Sequence, residues 1–303
     1  MKHTIGILGA GKVARALAPG FTRAGHRVVG FHSPGGVSAR RLARRIPGAR
    51  GFAAAVDLAA CCDVLLLAVP DEQVAVAALA LARAPIDWRG KTVLHHAGAL
   101  GPAALGALRR RGAATGVLHP LQVLADATAF AHVAAETRVR IEGQPAAERV
   151  ARRLARDLGM RPLKLAPLTR RGRAAYHAAA SLVANDAVAL LGEGARLLST
   201  LGLDRREAVR ALAALLRGAV EHAAGGDLGR ALTGPVARGD AGTVAAHLDV
   251  LDRHSPAAGR AHRALGEVLI SLLEKPGGGL SPAERRRLLR VLRSPGPSGR
   301  RAV

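Results

Sequence analysis

The sequence predicts an α/β fold over the first half of the chain, a doubly wound and mostly parallel sheet, followed by an all-α helical domain. A glycine turn joins an apolar run to a helical pattern at residues 4–17, and apolar runs then alternate with helical patterns as far as residue 166. From Pro167 onwards, strand patterns stop and Ala/Leu-rich helical patterns take over. We therefore expect a first domain at residues 1–166, a helical domain for substrate binding and dimerisation at 167–293, and a disordered tail at 294–303.

Length and composition indicate a globular protein. A chain of 303 residues with 49% apolar residues is long enough for two domains and a large core. No unbroken apolar run reaches the roughly 18 residues that a membrane span requires. The N-terminus leads directly into a strand and a glycine turn, which argues against a cleaved signal peptide. These features predict a cytoplasmic protein without a membrane partner.

The charge of the chain favours small anionic ligands over nucleic acid. The formal net charge is +23, but the excess is even: residues 1–150 carry 19 basic and 9 acidic residues, and residues 151–303 carry 26 and 13. Arginine supplies 40 of the 45 basic residues, as a compositional bias of the genome would. One Trp, one Tyr and four Phe leave few rings for stacking on bases. We expect no nucleic-acid partner.

The two cysteines, Cys61 and Cys62, are adjacent and precede an apolar strand. Neighbouring cysteines rarely bridge in an ordinary backbone, so we interpret both as small buried apolar residues. A redox pair is the alternative.

The segment TIGILGAGKVARAL at residues 4–17 has the order strand, glycine turn, helix. Gly9 allows the tight turn, and Gly11 lets the backbone approach a pyrophosphate. Lys12 and Val13 begin the helix, whose free N–H groups can bind phosphate, and the helix ends at Gly25. Because the glycines stand between a strand and a helix, the segment predicts a dinucleotide-binding Rossmann domain.

The segment GFHSPGGVSARR at residues 30–41 follows the second strand and has no acidic residue. An Asp or Glu at this point accepts hydrogen bonds from a ribose 2′-OH and repels a 2′-phosphate. Ser33 removes that repulsion, and Arg40 and Arg41 supply positive charge. We therefore expect NADP (NADPH) as the cofactor, in preference to NAD. In an Arg-rich chain, a solvated helix face remains an alternative for each arginine.

Later strands end in residues that belong at a ligand cleft. Open α/β sheets bind ligands beyond the carboxyl ends of their strands. Val69 and Pro70 follow one strand and are expected to contact the cofactor. His119 and Gln122 follow another, in TGVLHPLQVL at residues 115–124. A metal site of His95, His96 and His119 is a minor alternative without supporting spacing, so we expect no metal.

The helical half begins with a long helix predicted over residues 169–201, and further helices are predicted at 204–223, 240–252, 256–274 and 281–293. In YHAAASLVAND, three polar side chains at i, i+4 and i+8 share one face of the long helix. They are His177, Ser181 and Asn185. Tyr176, the only tyrosine, precedes them as a proton donor or a packed ring. Hydrogen bonding between helices is the alternative role for this polar stripe.

Six segments together resemble Rossmann-like oxidoreductases whose second half is the domain of unknown function 2520. They are GILGAGKVARAL, LAVPDEQV, HHAGAL, LHPLQ, YHAAASLVAN and ALTGPVARGDAGTV. More distantly, the layout is similar to ketopantoate reductase, pyrroline-5-carboxylate reductase and the 6-phosphogluconate and hydroxyacid dehydrogenases. The hydroxyacid dehydrogenases place a Lys and an Asn one turn apart on the first long helix. This helix has no Lys, so that mechanism does not transfer.

The resemblance implies NADP-dependent reduction of a small keto or imino compound between the two domains, an anionic and ketopantoate-like substrate being one option. The product anion needs a proton. We expect His177 as the first candidate donor and His119 as the second, since histidine titrates near neutral pH. Asn185 and Gln122 would hold the substrate oxygen, with Ser181 and Tyr176 as further candidates. A non-catalytic NADP-binding regulator is the competing hypothesis.

The segment ALTGPVARGD at residues 231–240 reads as a loop between helices. In a homodimer, which we expect, it reaches the cleft of the neighbouring subunit; a simple helix connection is the alternative.

Overall fold

A computed structural model describes residues 2–273 and 279–295. Internal contacts divide the chain into two compact units, Met1–Ala184 and Asn185–Val303. This division falls inside a long helix, whereas the sequence changes character at Pro167, and the predicted domain bounds remain predictions. All but two residues of the predicted tail at 294–303 lie outside the described residues.

The first unit contains an eight-stranded sheet. Its strands are β1 (Thr4–Leu8), β2 (Arg27–His32), β3 (Arg50–Gly51), β4 (Val64–Leu67), β5 (Thr92–His95), β6 (Ala114–Leu121), β7 (Arg138–Gly143) and β8 (Arg161–Pro162). The spatial order is β3-β2-β1-β4-β5-β6-β7-β8. All neighbours are parallel except β6 and β7, which pair antiparallel. The predicted doubly wound, mostly parallel sheet is confirmed.

Seven helices and one 3₁₀ turn, Pro102–Leu105, connect the strands of this unit. The helices are α1 (Lys12–Arg23), α2 (Val37–Ala43), α3 (Ala55–Ala60), α4 (Asp71–Ala82), α5 (Gly106–Arg110), α6 (Ala127–Val133) and α7 (Pro145–Asp157). α1 stops where the sequence predicts, since Gly25 follows it with φ of +83°.

Both faces of the sheet are covered, as the unbroken apolar runs predict. Every residue of β4 is buried. Leu66 belongs to a buried cluster with Leu17 of α1, whereas Leu65 and Leu67 belong to a second cluster with Leu81 of α4. Successive residues of a strand point to opposite faces, so β4 contributes to both layers. Truncating any of these leucines to alanine would cost about 2–5 kcal/mol of stability.

The remaining helices are α8 (Arg170–Ser199), α9 (Arg205–Ala223), α10 (Leu228–Ala231), α11 (Ala241–His254), α12 (Pro256–Leu273) and α13 (Pro282–Leu292). Five of them match the predicted helices closely. The sequence analysis did not predict α10, a single turn. Residues 232–240 form a loop, as predicted.

Side-chain caps determine where several of these helices begin. Asp204 accepts hydrogen bonds from the backbone N–H groups of Arg206 and Glu207 at the start of α9. Ser281 and Glu284 form a capping box at the start of α13. Each cap satisfies N–H groups that have no partner within the helix, and is worth about 1 kcal/mol.

The cysteines differ from each other. Cys62 is buried, and burial raises the pKa of its thiol to about 12, so it behaves as an apolar residue. Cys61 is exposed, which corrects the expectation that both would be buried. Cys61 is the C-cap of α3, one residue before the chain turns towards β4, and its side chain therefore lies at the surface.

Within the described residues, only α8 is long and apolar enough, by length and composition, to pass as a membrane span. Its best window of 18 residues has a mean hydropathy of 1.2, and none of that window is buried.

Candidate functional site

The glycine turn after β1 has the geometry of a phosphate-binding turn. Gly9 has φ of +105°, and a Cβ at this position would stand 2.1 Å from the carbonyl oxygen of Ala68. Only glycine fits there. Gly11 is the N-cap of α1, and a Cβ on Gly11 would meet no atom within 4 Å. Space is therefore open beside Gly11, where the free backbone N–H groups of the helix start can donate hydrogen bonds to a pyrophosphate.

A cavity of about 700 Å³ opens beside this turn. It is lined by five of the residues expected to bind cofactor: Gly9, Gly11, Ser33, Val69 and Pro70. The sequence analysis did not single out four polar lining residues, Arg15, His32, Ser38 and Gln73. Lys12 and Val13 lie in the first turn of α1 but do not line the cavity. Its position beyond the carboxyl ends of β1, β2 and β4 is the ligand position of a doubly wound sheet.

Ser33 reaches this cavity but its hydroxyl already has a partner. Ser33 is 8% exposed, and its Oγ accepts a hydrogen bond from the backbone N–H of Ala39 at 3.1 Å. It thus satisfies an N–H group in the first turn of α2. The hydroxyl fixes the start of α2 beside the cavity.

The arginines of α2 point in different directions. The side chain of Arg40 packs against Gly51, its guanidinium lies against Gly36, and it lines neither this cavity nor the next. An adjoining cavity of about 200 Å³ is lined by Arg15, Ser38, Arg41 and Arg45, together with Ala10 and Leu42. Neither set of described lining residues contains an acid. The pair of cavities therefore presents positive charge beside the dinucleotide turn.

His95 and His96, at the end of β5, are committed to the backbone. Nε2 of His95 donates to the carbonyl of Gly101 at 3.1 Å, and its Nδ1 accepts from the N–H of Ala97. Nδ1 of His96 donates to the carbonyl of Leu118. Burial lowers the pKa of each to about 4, so both are neutral at neutral pH. Among the described residues, no three His, Cys, Asp or Glu side chains converge as a metal site would require.

His119 of β6 and Tyr176 of α8 meet within the first unit, where β6 extends past the end of its pairing with β5. Nδ1 of His119 lies 2.9 Å from the hydroxyl of Tyr176, and the two rings meet edge to face. Burial, and next the charge of Arg140, lower the pKa of His119 to about 3. Burial raises the pKa of Tyr176. The pair therefore consists of a neutral imidazole and a phenol that retains its proton.

His177 approaches the same place from α8. A Cβ added to Gly98 would stand 2.7 Å from Nδ1 of His177 and 2.8 Å from Nε2 of His119. Both rings therefore lie directly against Gly98, which follows β5, and leave no room there for a side chain. His177 is exposed on its outer side.

Sequence reasoning missed Arg140 of β7, which completes this cluster. Its guanidinium is buried, forms a salt bridge with Glu142, and lies over the ring of Tyr176. In the antiparallel ladder, Arg140 stands opposite His119. The strand pattern TRVRIEG gives no signal for it, because Arg138 stands two residues earlier on the same face and is exposed.

The other predicted site residues are less closely placed. Gln122 is exposed, and its side-chain oxygen accepts a hydrogen bond from the N–H of Val123. Ser181 is half-buried on α8, one turn beyond His177. Asn185 is exposed and belongs to the second unit. Their catalytic roles remain predictions.

Two sequence models match the chain. That of a Rossmann-like domain matches residues 1–120, and that of the domain of unknown function 2520 matches residues 137–268. No curated protein sequence matches this chain.

Solved structures share the fold over most of the chain. A proposed NADP oxidoreductase from Bacteroides fragilis is 20% identical, with a TM-score of 0.72, over 89% of this chain and 98% of that one. Pyrroline carboxylate reductase from Plasmodium falciparum, with NADP bound, is 15% identical with a TM-score of 0.56, over 89% and 98%. A reductive aminase from Aspergillus terreus, in complex with NADPH and ethyl-5-oxohexanoate, is 16% identical with a TM-score of 0.60, over 93% and 97%.

These matches confirm the resemblance noted in the sequence, both in the order of the domains and in the fold. The Rossmann-like model and the model of the domain of unknown function 2520 match in the order that the resemblance implies.

Proposed function

We propose that this protein is an NADPH-dependent oxidoreductase that reduces a small keto or imino compound. The observation that carries the proposal is the arrangement along one edge of the sheet. The dinucleotide turn at Gly9 and Gly11 follows the carboxyl end of β1, and His119, which contacts Tyr176, lies on β6 past the end of its parallel pairing with β5. A reductase needs these two parts, a cofactor seat and a nearby proton source.

NADPH is the proposed cofactor, and it supplies the hydride when bound. The cavity beside Gly11 has room for a dinucleotide backbone, and Arg15, Arg41 and Arg45 offer charge for a 2′-phosphate. The structures from Plasmodium falciparum and Aspergillus terreus were solved with NADP and NADPH, which supports the same choice here. Titration calorimetry with NADPH and NADH tests it: tighter binding of NADH would contradict the proposal.

The proposed substrate is a small, anionic molecule that carries a reducible carbonyl or imine group. The similar enzymes are named as a pyrroline carboxylate reductase and a reductive aminase, which supports an imine or keto substrate. A ketopantoate-like 2-keto acid fits the positive charge of the chain equally well. Initial rates of NADPH oxidation with a panel of 2-keto acids and cyclic imines would distinguish a keto substrate from an imino substrate. NADPH binding without turnover on any member would instead indicate a non-catalytic regulator.

The proton is proposed to come from the cluster around Gly98. His177 and His119 both present a nitrogen there, and Tyr176 bonds to His119. Ser181, Gln122 and Asn185 are proposed as substrate-binding groups. Alanine substitution of His177 with Kd for NADPH unchanged and kcat lowered would support its role. An unchanged kcat would exclude His177 from proton delivery and leave Tyr176 and His119 as the candidates.

A homodimer is the proposed assembly. Four large apolar side chains of α8 are exposed: Leu182 by 63%, Val183 by 73%, Val188 by 67% and Leu190 by 46%. A second copy that covers them removes this apolar surface from water. Asp186 is exposed among them, which favours a protein partner over lipid. We also propose that the protein acts in the cytoplasm, without nucleic-acid or membrane partners, where NADPH is supplied.

A further inference from the structure

The proposed reaction leaves one buried charge without a role, that of Arg140. Its side chain is 2% exposed, and desolvation of a cation is costly unless the cation is paired. Glu142, two residues further along β7, supplies a pairing carboxylate at 2.8 Å. Such a pair contributes little to stability compared with apolar residues of the same volume. The groups that the side chain of Arg140 contacts therefore indicate the role of this residue.

Most of those contacts hold one loop in place. Nη2 of Arg140 donates to the carbonyl oxygens of Ala97, Gly98 and Leu100, at 3.2, 3.3 and 2.7 Å. Of the three guanidinium nitrogens of Arg140, Nε alone is buried without a partner. The loop after β5 includes Gly98, which faces Nε2 of His119 and Nδ1 of His177. Arg140 thus fixes the backbone on which the two histidines converge.

The remaining contact of Arg140 is with Tyr176. The guanidinium carbon lies 5.3 Å from the centre of the tyrosine ring, over its face. The same cation stands opposite His119 in the sheet. A positive charge at this distance stabilises a negative charge on the phenol oxygen and disfavours a second positive charge on His119.

Other charged and titratable groups surround this pair on each element packed against it. They are Glu142 on β7, Arg173 and His177 on α8, and His95 and His96 at the end of β5. Arg173 also bonds to Glu142, at 3.5 Å, and to the carbonyl of Leu168. Arg140 is the buried cation that contacts the ring of Tyr176 directly.

We propose that Arg140 is a positioning residue for proton delivery: its charge stabilises the phenolate that Tyr176 becomes when it gives up its proton, and its bonds to the loop fix Gly98 beside the histidines. This inference rests on the proposed function and names Tyr176 as the group that hands over the proton. Nδ1–H of His119 then donates a hydrogen bond to the oxygen of Tyr176. Because His119 is neutral, it does not compete with Tyr176 as an acid.

The substrate carbon receives a hydride from bound NADPH, which is oxidised to NADP⁺, and the electron pair of the C=N or C=O bond moves to the nitrogen or oxygen. The O–H bond of Tyr176 breaks, and a new N–H or O–H bond forms on the product. Solvent returns a proton to the phenolate. Arg140 takes no proton in this sequence, because a guanidinium does not titrate in this range.

The chain offers a direct test, because Tyr176 is its only tyrosine. Replacing tyrosine by 3,5-difluorotyrosine during expression labels this site alone and brings its titration to a lower pH, where the fold is intact. Ionisation is followed by fluorine NMR and by absorbance, and the fold by circular dichroism. The variants are Arg140→Gln, Arg140→Lys and Glu142→Gln, and the matched control is Arg138→Gln, an exposed cation on the same face of β7.

We expect opposite shifts from the two partners of the buried pair. Arg140→Gln removes the stabilising charge and moves the Tyr176 midpoint to higher pH. Glu142→Gln removes the opposing charge and moves it to lower pH. Arg140→Lys keeps a cation and stays closest to the unsubstituted protein, and Arg138→Gln does not shift the midpoint. A purely structural role would not produce shifts of opposite sign.

Turnover gives a second measurement. Arg140→Gln should lower kcat about tenfold or more, because Tyr176 then gives up its proton less readily in the transition state. The KM for NADPH should stay unchanged. Arg140→Lys should recover part of the loss.

Three outcomes would overturn the inference: midpoints of Arg140→Gln and Glu142→Gln that move in the same direction, midpoints that equal that of the control, or an unchanged kcat. If Arg140→Gln does not fold, the direction of the Glu142→Gln shift decides. The titration needs no substrate, so an inactive protein with the expected shifts would contradict the proposed function and leave the electrostatic inference standing.

Discussion

Gly9 and Gly11 stand two residues apart, and a side chain would have different consequences at each. At Gly9, a Cβ would overlap the carbonyl of Ala68, on a backbone with φ of +105° that other residues rarely adopt. At Gly11, a Cβ would enter empty space. The fold requires glycine at position 9. We expect the close approach of a pyrophosphate to require glycine at position 11.

Substituting each glycine by alanine should separate these roles. Gly9→Ala is expected to lower the free energy of unfolding by roughly 2 kcal/mol or more, because it combines overlap with backbone strain. Gly11→Ala should leave Tm nearly unchanged but weaken NADPH binding at least about tenfold. Calorimetric unfolding and NADPH titration measure both. Equal NADPH affinity in Gly11→Ala and the unsubstituted protein would contradict the binding role.

Histidines whose pKa values are lowered in the folded protein make the stability of the first unit depend on pH. The pKa values of His95 and His96 are lowered to about 4, and that of His119 to about 3, from 6.5. Because the unfolded chain binds these protons more tightly, stability is fully present above pH 6.5 and is lost as the pH falls towards 4.

Urea unfolding at pH 7, 6 and 5 checks this. Each histidine should contribute a slope approaching 1.4 kcal/mol per pH unit below about pH 6. His96→Gln removes one titrating group and should make the slope less steep, while His132→Gln, on the surface of α6, serves as the control. A slope identical in all three proteins would exclude buried histidines as its cause.

Sequence alone could predict the cofactor turn and the ends of the strands, because those depend on local order and residue type. It could not separate Arg40 from Arg41, since the direction of a side chain on a short helix depends on its neighbours. The position of Arg140 in the site could not be predicted from the sequence for a different reason. Its partner His119 is 21 positions away and becomes adjacent only because β6 and β7 pair antiparallel.

At the scale of elements, α2 decides which arginines meet the cofactor. The hydroxyl of Ser33 fixes the start of α2, Arg41 lines the cavity shared with Arg15, and Arg40 packs against Gly51 instead. The two adjacent arginines therefore allow a matched comparison, because one lines the cavity and the other does not.

Arg41→Ala should weaken binding of NADPH by about tenfold and leave binding of NADH unchanged, because only NADPH carries the 2′-phosphate. Arg40→Ala should affect both cofactors little. Fluorescence titration of the two cofactors against the two variants gives the comparison. If Arg40→Ala selectively weakened NADPH, the assignment from the cavity would be wrong and the assignment from sequence right.

The exposed apolar residues of α8 bear on assembly. Leu182→Glu places a charge on surface that a second copy is proposed to cover, and should convert a dimer to monomer at micromolar concentration. Arg206→Glu, at the exposed start of α9, serves as the control. Sedimentation velocity measures the change. A protein that is monomeric without any substitution would rule out the proposed dimer.

At the scale of the whole molecule, charge is the most conspicuous property and the least specific. The excess of +23 is divided between both halves of the chain, and aromatic residues make up only 2%. Attraction to any polyanion is then a matter of counterion release, which salt abolishes.

Fluorescence anisotropy with a labelled 20-base-pair duplex should therefore show weak binding at low salt that vanishes near 150 mM. Because site-specific recognition persists at that salt concentration, saturable binding there would contradict the absence of a nucleic-acid role.

The helical half was predictable in outline because long Ala/Leu-rich patterns bounded by Asp or Ser caps specify helices locally. α10 and β3 were not, since elements of two to four residues depend on the contacts around them.

The hydroxyl of Ser33 forms a hydrogen bond within its own chain. The positive charges that could bind a 2′-phosphate lie instead on the outer side of α2. A surface of this kind tolerates replacement without disturbing the turn or the sheet beneath it. Coenzyme choice in this lineage should therefore be able to drift between species, or be redesigned, by a few exchanges on α2 while the rest of the nucleotide seat stays as it is.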